Sequence, residues 1–147
     1  MRALALLLVL AGPASAQGLE DFMSGFEARG PAYGYTRCAG FYAAILDRAT
    51  EAEFGESGMA TLAGFAGDTL RAAVNAEAET NQAGMSGAAV VIRTEMLRFQ
   101  AAYGARFQQN YITRGAILSE DAQLAGDNTI CRQLAALAAE ATEEASE

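Results

Sequence analysis

The stretch Tyr35–Ala49, YTRCAGFYAAILDRA, decides the fold class: it sets one of the two cysteines in the chain on the apolar side of a helical pattern. Cys38, Phe41, Tyr42 and Ile45 recur at the three- and four-residue spacing that lines one face of an α-helix, and Ala49 and Ala52 extend it. Arg37, Asp47, Arg48 and Glu51 fall on the other side. The spacing predicts a first long helix from Tyr35 to Phe54, broken by the "GESG" that follows, with Ser57 as the cap of the next helix.

Downstream the period stays helical, and no alternating, strand-like run competes with it. A second long helix is expected over 58–80, burying Met59, Leu62, Phe65, Ala66, Leu70 and Ala73. Gly64 and Gly67 interrupt it, which close approach of a neighbouring helix would explain. A third helix over 88–113 carries Ile92, Met96, Phe99, Tyr103 and Phe107 as its stripe and ends at Gly115. Ser119 is the expected cap of a fourth helix, whose inner face is Leu124, Cys131, Leu134, Ala138 and Ala141, with a glutamate-rich tail over 140–147 that should fray. Upstream, Leu19, Phe22, Met23 and Phe26 make a short helix stopped by Gly30 and Pro31, and "PAYGY" reads as a connection. Four long amphipathic helices with short connections predict an all-α fold: an antiparallel four-helix bundle with an additional short N-terminal helix.

The chain opens MRALALLLVLAGPASAQG. One positive charge, a short apolar run and Ala14-Ser15-Ala16 form the layout of a secretory signal peptide, so residues 1–16 are expected to be removed and 17–147 to form a single helical domain. Every basic residue is arginine and alanine occurs 34 times, a composition that fits a GC-rich bacterial genome. With the leader, it points to a periplasmic or secreted protein of a Gram-negative bacterium. The formal charge is −8, which repels nucleic acid and anionic membrane surfaces. No segment after the leader is long and apolar enough to span a membrane.

Cys38 and Cys131 sit on the apolar faces of the first and last long helices, neighbours in such a bundle. In an oxidising compartment they are expected to form a disulfide; two buried free thiols are the alternative. The chain has no histidine, so it has no Ser-His-Asp triad, no histidine-ligated metal site and no C-x-x-C-H haem attachment. No phosphate-cradling loop or EF-hand pattern is present, and no cofactor or metal is expected. Met23, Met59, Met85 and Met96 are scattered as core fillers rather than clustered as copper ligands.

The candidate sites are therefore sparse. Asp127 projects from the apolar stripe of the last helix, either as the cap of a helix restarted after Gly126, as a buried ion-pair partner or as a functional acid. Asn110 lies on the stripe of Phe99 and Tyr103, half-exposed near a helix end or in a buried polar contact. Glu95 and Arg106 flank that stripe, and rim salt bridges are expected of them, with a contact to a neighbouring helix through Arg37 or Asp127 as the alternative. Phe22, Phe26, Tyr35, Phe41 and Tyr42 crowd the N-terminal third, as an apolar groove or simply as core.

"YTRCAGFYAAIL" at 35–46 and "DNTICRQL" at 127–134 are similar to stretches of small secreted helical proteins of proteobacteria, with one cysteine in the first long helix and one in the last. The resemblance implies shape and no activity, and brings no catalytic or binding residue. The functional expectation is a non-enzymatic, exported bundle that binds a protein partner or scaffolds an envelope assembly. A carrier of a small apolar ligand and a carboxylate enzyme around Asp127 are the alternatives.

Overall fold

The computed structural model describes residues 19–118 and 120–144; the expected signal peptide, the Ser119 cap and the last three residues lie outside them. Five helices follow one another: α1 (Phe22–Arg29), α2 (Pro31–Leu46), α3 (Glu51–Ala78), α4 (Gly84–Arg114) and α5 (Ala122–Glu144). No strand occurs among the described residues.

Local chemistry moves several expected boundaries. α1 starts where Asp21 accepts from the backbone N–H of Ser24 at 2.9 Å. It stops at Gly30, whose φ of 78° only glycine adopts readily. Pro31 then opens α2 instead of ending a helix, because the first helical position needs no N–H. "PAYGY" is thus the first turn of α2, and α2 ends at Leu46 rather than running to Phe54. A new helix begins at Thr50, whose N–H and Oγ1 both donate to Glu53 Oε2, at 3.3 and 3.0 Å. The break foreseen around "GESG" is a kink at Gly55, with φ of 68° inside α3. Ser57 already lies in the helix, its carbonyl accepting from Thr61 Oγ1 at 2.9 Å. Gly115, at φ 74°, ends α4 with its N–H on the carbonyl of Tyr111 at 2.9 Å. Asp121 caps α5, accepting from the N–H of Leu124 at 3.1 Å. α5 extends through Glu144.

The helices form a bundle with α2 in its middle, in contact with α1, α3, α4 and α5. α3 also packs on α4 and α5, whereas α4 and α5 approach each other less closely and meet through long side chains. The core gathers Phe22, Cys38, Phe41, Tyr42, Ile45, Tyr103, Phe107, Leu124 and Cys131. Met23, Met85, Ala52 and Ala141 are exposed instead of filling it. Cys38 and Cys131 are joined, with S–S 2.08 Å and Cα–Cα 5.2 Å. The two cysteines are 93 positions apart, and closing a loop of that length removes unfolded-state entropy worth on the order of 4.5 kcal/mol in the chain-entropy model.

Close helix approach occurs at Gly40, not at Gly64 or Gly67. A Cβ on Gly40 would stand 2.6 Å from Phe99 Cβ and 2.8 Å from the carbonyl oxygen of Met96, so α2 lies directly on the backbone of α4. Gly64 and Gly67 face open space. Gly40→Ala is therefore expected to lower unfolding free energy by about 1–3 kcal/mol through overpacking. Gly64→Ala should raise it by about 0.5–1 kcal/mol through helix propensity. Urea denaturation of the two variants checks both signs.

Candidate functional site

Arg37 departs furthest from its expected position. The helical pattern sets it on the outer side of its helix, yet it is fully buried. α2 has a helix on every side, so its polar face meets protein instead of water. A guanidinium removed from water must find a counter-charge and acceptors for its donors. Arg37 Nη2 donates to Asp127 Oδ2 at 2.6 Å, Nε to the Tyr103 hydroxyl at 2.7 Å, and Nη1 to the Tyr33 hydroxyl at 2.7 Å and the Glu20 carbonyl at 2.8 Å. Tyr103 in turn donates its O–H to Asp127 Oδ2 at 2.5 Å. The ring of Phe22 lies 4.8 Å from the guanidinium carbon.

Burial by itself pulls the Arg37 pKa down; Tyr103, Tyr33 and Asp127 more than reverse it, and the net direction is upward. Burial and then the Asp127 charge push the Tyr103 phenol up. At neutral pH the cluster thus holds a permanent cation and a neutral phenol, arranged as donors. Asp127 lies inside a continuous α5 and in this ion pair, so it is not the cap of a restarted helix.

A second cluster closes the α4–α5 connection. Asp121 receives both Arg106 Nε and Nη2, at 2.7 and 2.8 Å. Asn110, buried rather than half-exposed, donates from Nδ2 to Asp121 Oδ2 at 3.0 Å and to the Ile117 carbonyl at 3.2 Å. Gln123 accepts from Arg106 and donates from Nε2 to the Leu19 carbonyl at 2.8 Å. The segment leading into α1 is therefore held through its backbone carbonyls by both clusters. Arg106 pairs with Asp121 across the α4–α5 connection, and Glu95 pairs with Arg98 on the α4 surface.

The five aromatics expected to form an apolar groove or simply core divide by burial. Phe22, Phe41 and Tyr42 are buried, and Phe26 and Tyr35 are half-buried. Phe41 stands edge-to-face with Tyr42, Tyr103 and Phe107. The Tyr42 hydroxyl is buried with no hydrogen-bond partner among the described residues, and burial pushes its pKa up to about 12. A cleft of about 130 Å³ lies elsewhere, between Tyr33, Thr36, Glu77, Ile92, Glu95 and Phe99. Among the described residues no group of three or more acidic or sulfur side chains is placed to hold a metal ion. No described helix is long and apolar enough to cross a membrane.

Sequence reasoning missed a feature of α4. Its outward side carries Val90, Leu97, Tyr111 and Ile112, exposed by 67, 50, 60 and 68%. The signal was present: the apolar residues of this helix fall on two opposite sides, not one.

The class these features define is an all-helical bundle tied by one disulfide, with a polar cluster buried at its centre and an apolar helix face left outside. No protein-family model, curated protein or solved structure matches the chain.

Arg37→Leu leaves Asp127 buried without its cation and is expected to remove about 3–5 kcal/mol of stability. Arg37→Leu with Asp127→Leu should recover most of that loss, and the double-mutant cycle in urea measures the difference. Arg106 hydrogen bonds, opposed by burial and aided by Asn110, hold the Asp121 carboxyl well below the usual carboxylate range. Its folded-state pKa is depressed, so the stability it contributes is complete above the unfolded value of about 4 and drains away as pH falls below it. The melting temperature of the wild type should exceed that of Asp121→Asn at neutral pH and converge on it in acid.

Proposed function

We propose that the protein is an exported, non-enzymatic interaction module, in which α2–α5 form an antiparallel four-helix bundle, α1 covers it, and the outward face of α4 docks a protein partner in the periplasm. The observation that carries this reading is the run of Val90, Leu97 and Tyr111 on the solvent side of a 31-residue helix. Exposed apolar residues arrayed along one helix face mark interaction surfaces more often than scattered ones do. The disulfide fits an oxidising compartment and so supports export.

The alternatives draw less support. Asp127 is committed to Arg37 and Tyr103, which leaves the carboxylate-enzyme reading without its acid. The cleft of about 130 Å³ is smaller than the roughly 300 Å³ from which ligand pockets usually start.

A photo-crosslinking amino acid placed at Ala101 on the α4 face tests the proposal in the native host, with Ala60 on the exposed side of α3 as the control. The expected result is one protein adduct of discrete mass from Ala101, absent from Ala60 and lost in Leu97→Asp. Equal adducts from both positions, or none, would remove the docking face.

A further inference from the structure

We infer that residues 19–29 form a strap that swings open about Gly30 as one unit and uncovers Arg37 while α2–α5 stay folded. The strap is fastened at few points. Phe22 is the deep one, 2% exposed, with its ring 4.8 Å from the Arg37 guanidinium carbon. The Phe26 ring covers Gly34, where a Cβ would stand 2.6 Å from it. Arg29 lies over the Tyr33 ring at 3.8 Å. The other fastenings are main-chain carbonyls: Glu20 accepts from Arg37 Nη1 and Gln123 Nε2, at 2.8 and 3.3 Å, and Leu19 accepts from Gln123 at 2.8 Å. Met23, Ser24, Glu27 and Ala28 face solvent, and α1 packs mainly on α2.

Gly30 is the hinge. It alone separates α1 from α2. At φ 78° and ψ −168° it occupies a region essentially closed to residues with a Cβ. Pro31 opens α2 without an N–H to satisfy, so α2 can start at the same place whether α1 is docked or not. α1 has only eight residues, too few to persist as a helix away from the bundle, so opening and melting are one event.

Opening strands no buried polar group. The carbonyls of Leu19 and Glu20 pass to water. So does the Tyr33 hydroxyl, which donates to Glu20 Oε1 at 3.1 Å in the closed strap. Glu20 and Arg29 pair within the strap and leave together. Arg37 Nε and Nη2 stay with Tyr103 and Asp127, so the ion pair that ties α2 to α5 survives, and Nη1 keeps the Tyr33 hydroxyl. What changes is that one edge of a buried cation becomes reachable from solvent. A segment with few apolar contacts, whose backbone bonds water can replace, belongs to the low-stability end of a native structure.

Hydrogen exchange of the oxidised protein, read by mass spectrometry over a urea series below the unfolding transition, tests the strap. Amides of 22–29 are expected to exchange through an opening with a shallow urea dependence, and those around Tyr103 only through global unfolding, with a steep one. Gly30→Ala is the decisive variant. The space beside Gly30 is empty, so the added methyl meets nothing and acts only through the backbone strain of the closed strap, which opening relieves. It should speed exchange over 22–29 about tenfold and leave α3 and α4 unchanged. Phenylglyoxal, which modifies reachable guanidinium groups, should then label Arg37 faster by the same factor, with the labelled site read by peptide mass. A urea slope common to α1 and α4, or a Gly30→Ala effect shared equally by every helix, would mean that α1 leaves only when the bundle unfolds, and would overturn the strap. So would exchange over 22–29 at free-peptide rates in the wild type, or no change there in Gly30→Ala. Faster exchange in Gly30→Ala without faster labelling of Arg37 would show that opening does not uncover the cation, and overturns the inference as well.

Discussion

A guanidinium shut away from water has to find its counter-charge and its acceptors inside the protein, and the arrangement around Arg37 meets that need from four directions. Tyr33 comes from α2 itself, Tyr103 from α4, Asp127 from α5, and a backbone carbonyl from Glu20 ahead of α1. Moving any of these pieces leaves a buried donor or a buried charge unsatisfied. Such a pair adds little net stability over an apolar replacement. Its effect is on register: a slide of α5 by one turn along α2 would still bury leucines and alanines, but it would part Asp127 from Arg37. The buried apolar side chains of α5 are mostly small, with Ala135 and Ala138 beside Leu124, so side-chain shape discriminates weakly between its registers and that constraint matters more.

The disulfide acts on the same two helices by a different route. Cys38 follows Arg37, and Cys131 lies one turn after Asp127, so the covalent and ionic links sit side by side. The bridge restricts the unfolded chain; the ion pair penalises wrong folded arrangements. The first makes the bundle stable and the second makes it single-valued. Neither substitutes for the other, because a disulfide alone tolerates rotation of each helix about its own axis.

The helices and the cysteine pair were legible because both depend on local period and on compartment. The centre of the molecule was harder to read. Arg37 is the sole charged residue between Pro31 and Leu46, and a helix with one charge is a helix buried all round. Assigning it an outer face by the usual two-sided rule hid the arginine. Asp127 stood out on its apolar stripe, but its partner lies 90 positions away and no spacing rule connects them. Glycine was informative only in context: Gly40 and Gly64 look alike in sequence, and one meets a helix backbone while the other meets solvent. The Thr50–Glu53 capping box was readable and marks the true start of α3. Arg106, Asn110 and Asp121 form a polar knot that needs the first two to face the third across a turn, which periodicity cannot supply.

The contrast between α2 and α4 links fold to use. α2 is enclosed by its neighbours and holds its one charge at the centre, so its sequence is constrained on every side. α4 has one side in that same core, through Tyr103 and Phe107, and a second apolar side in solvent. A helix with two apolar sides loses the amphipathic contrast that would fix its rotation. Here rotation is fixed by polar contacts instead: Tyr103 to Arg37 and Asp127, and Arg106 and Asn110 to Asp121. Those bonds hold Leu97 and Val90 outward against the tendency of apolar side chains to turn in. The buried polar clusters and the exposed apolar face are therefore parts of one arrangement: the first is the reason the second can be presented to solvent without the helix rolling over to bury it.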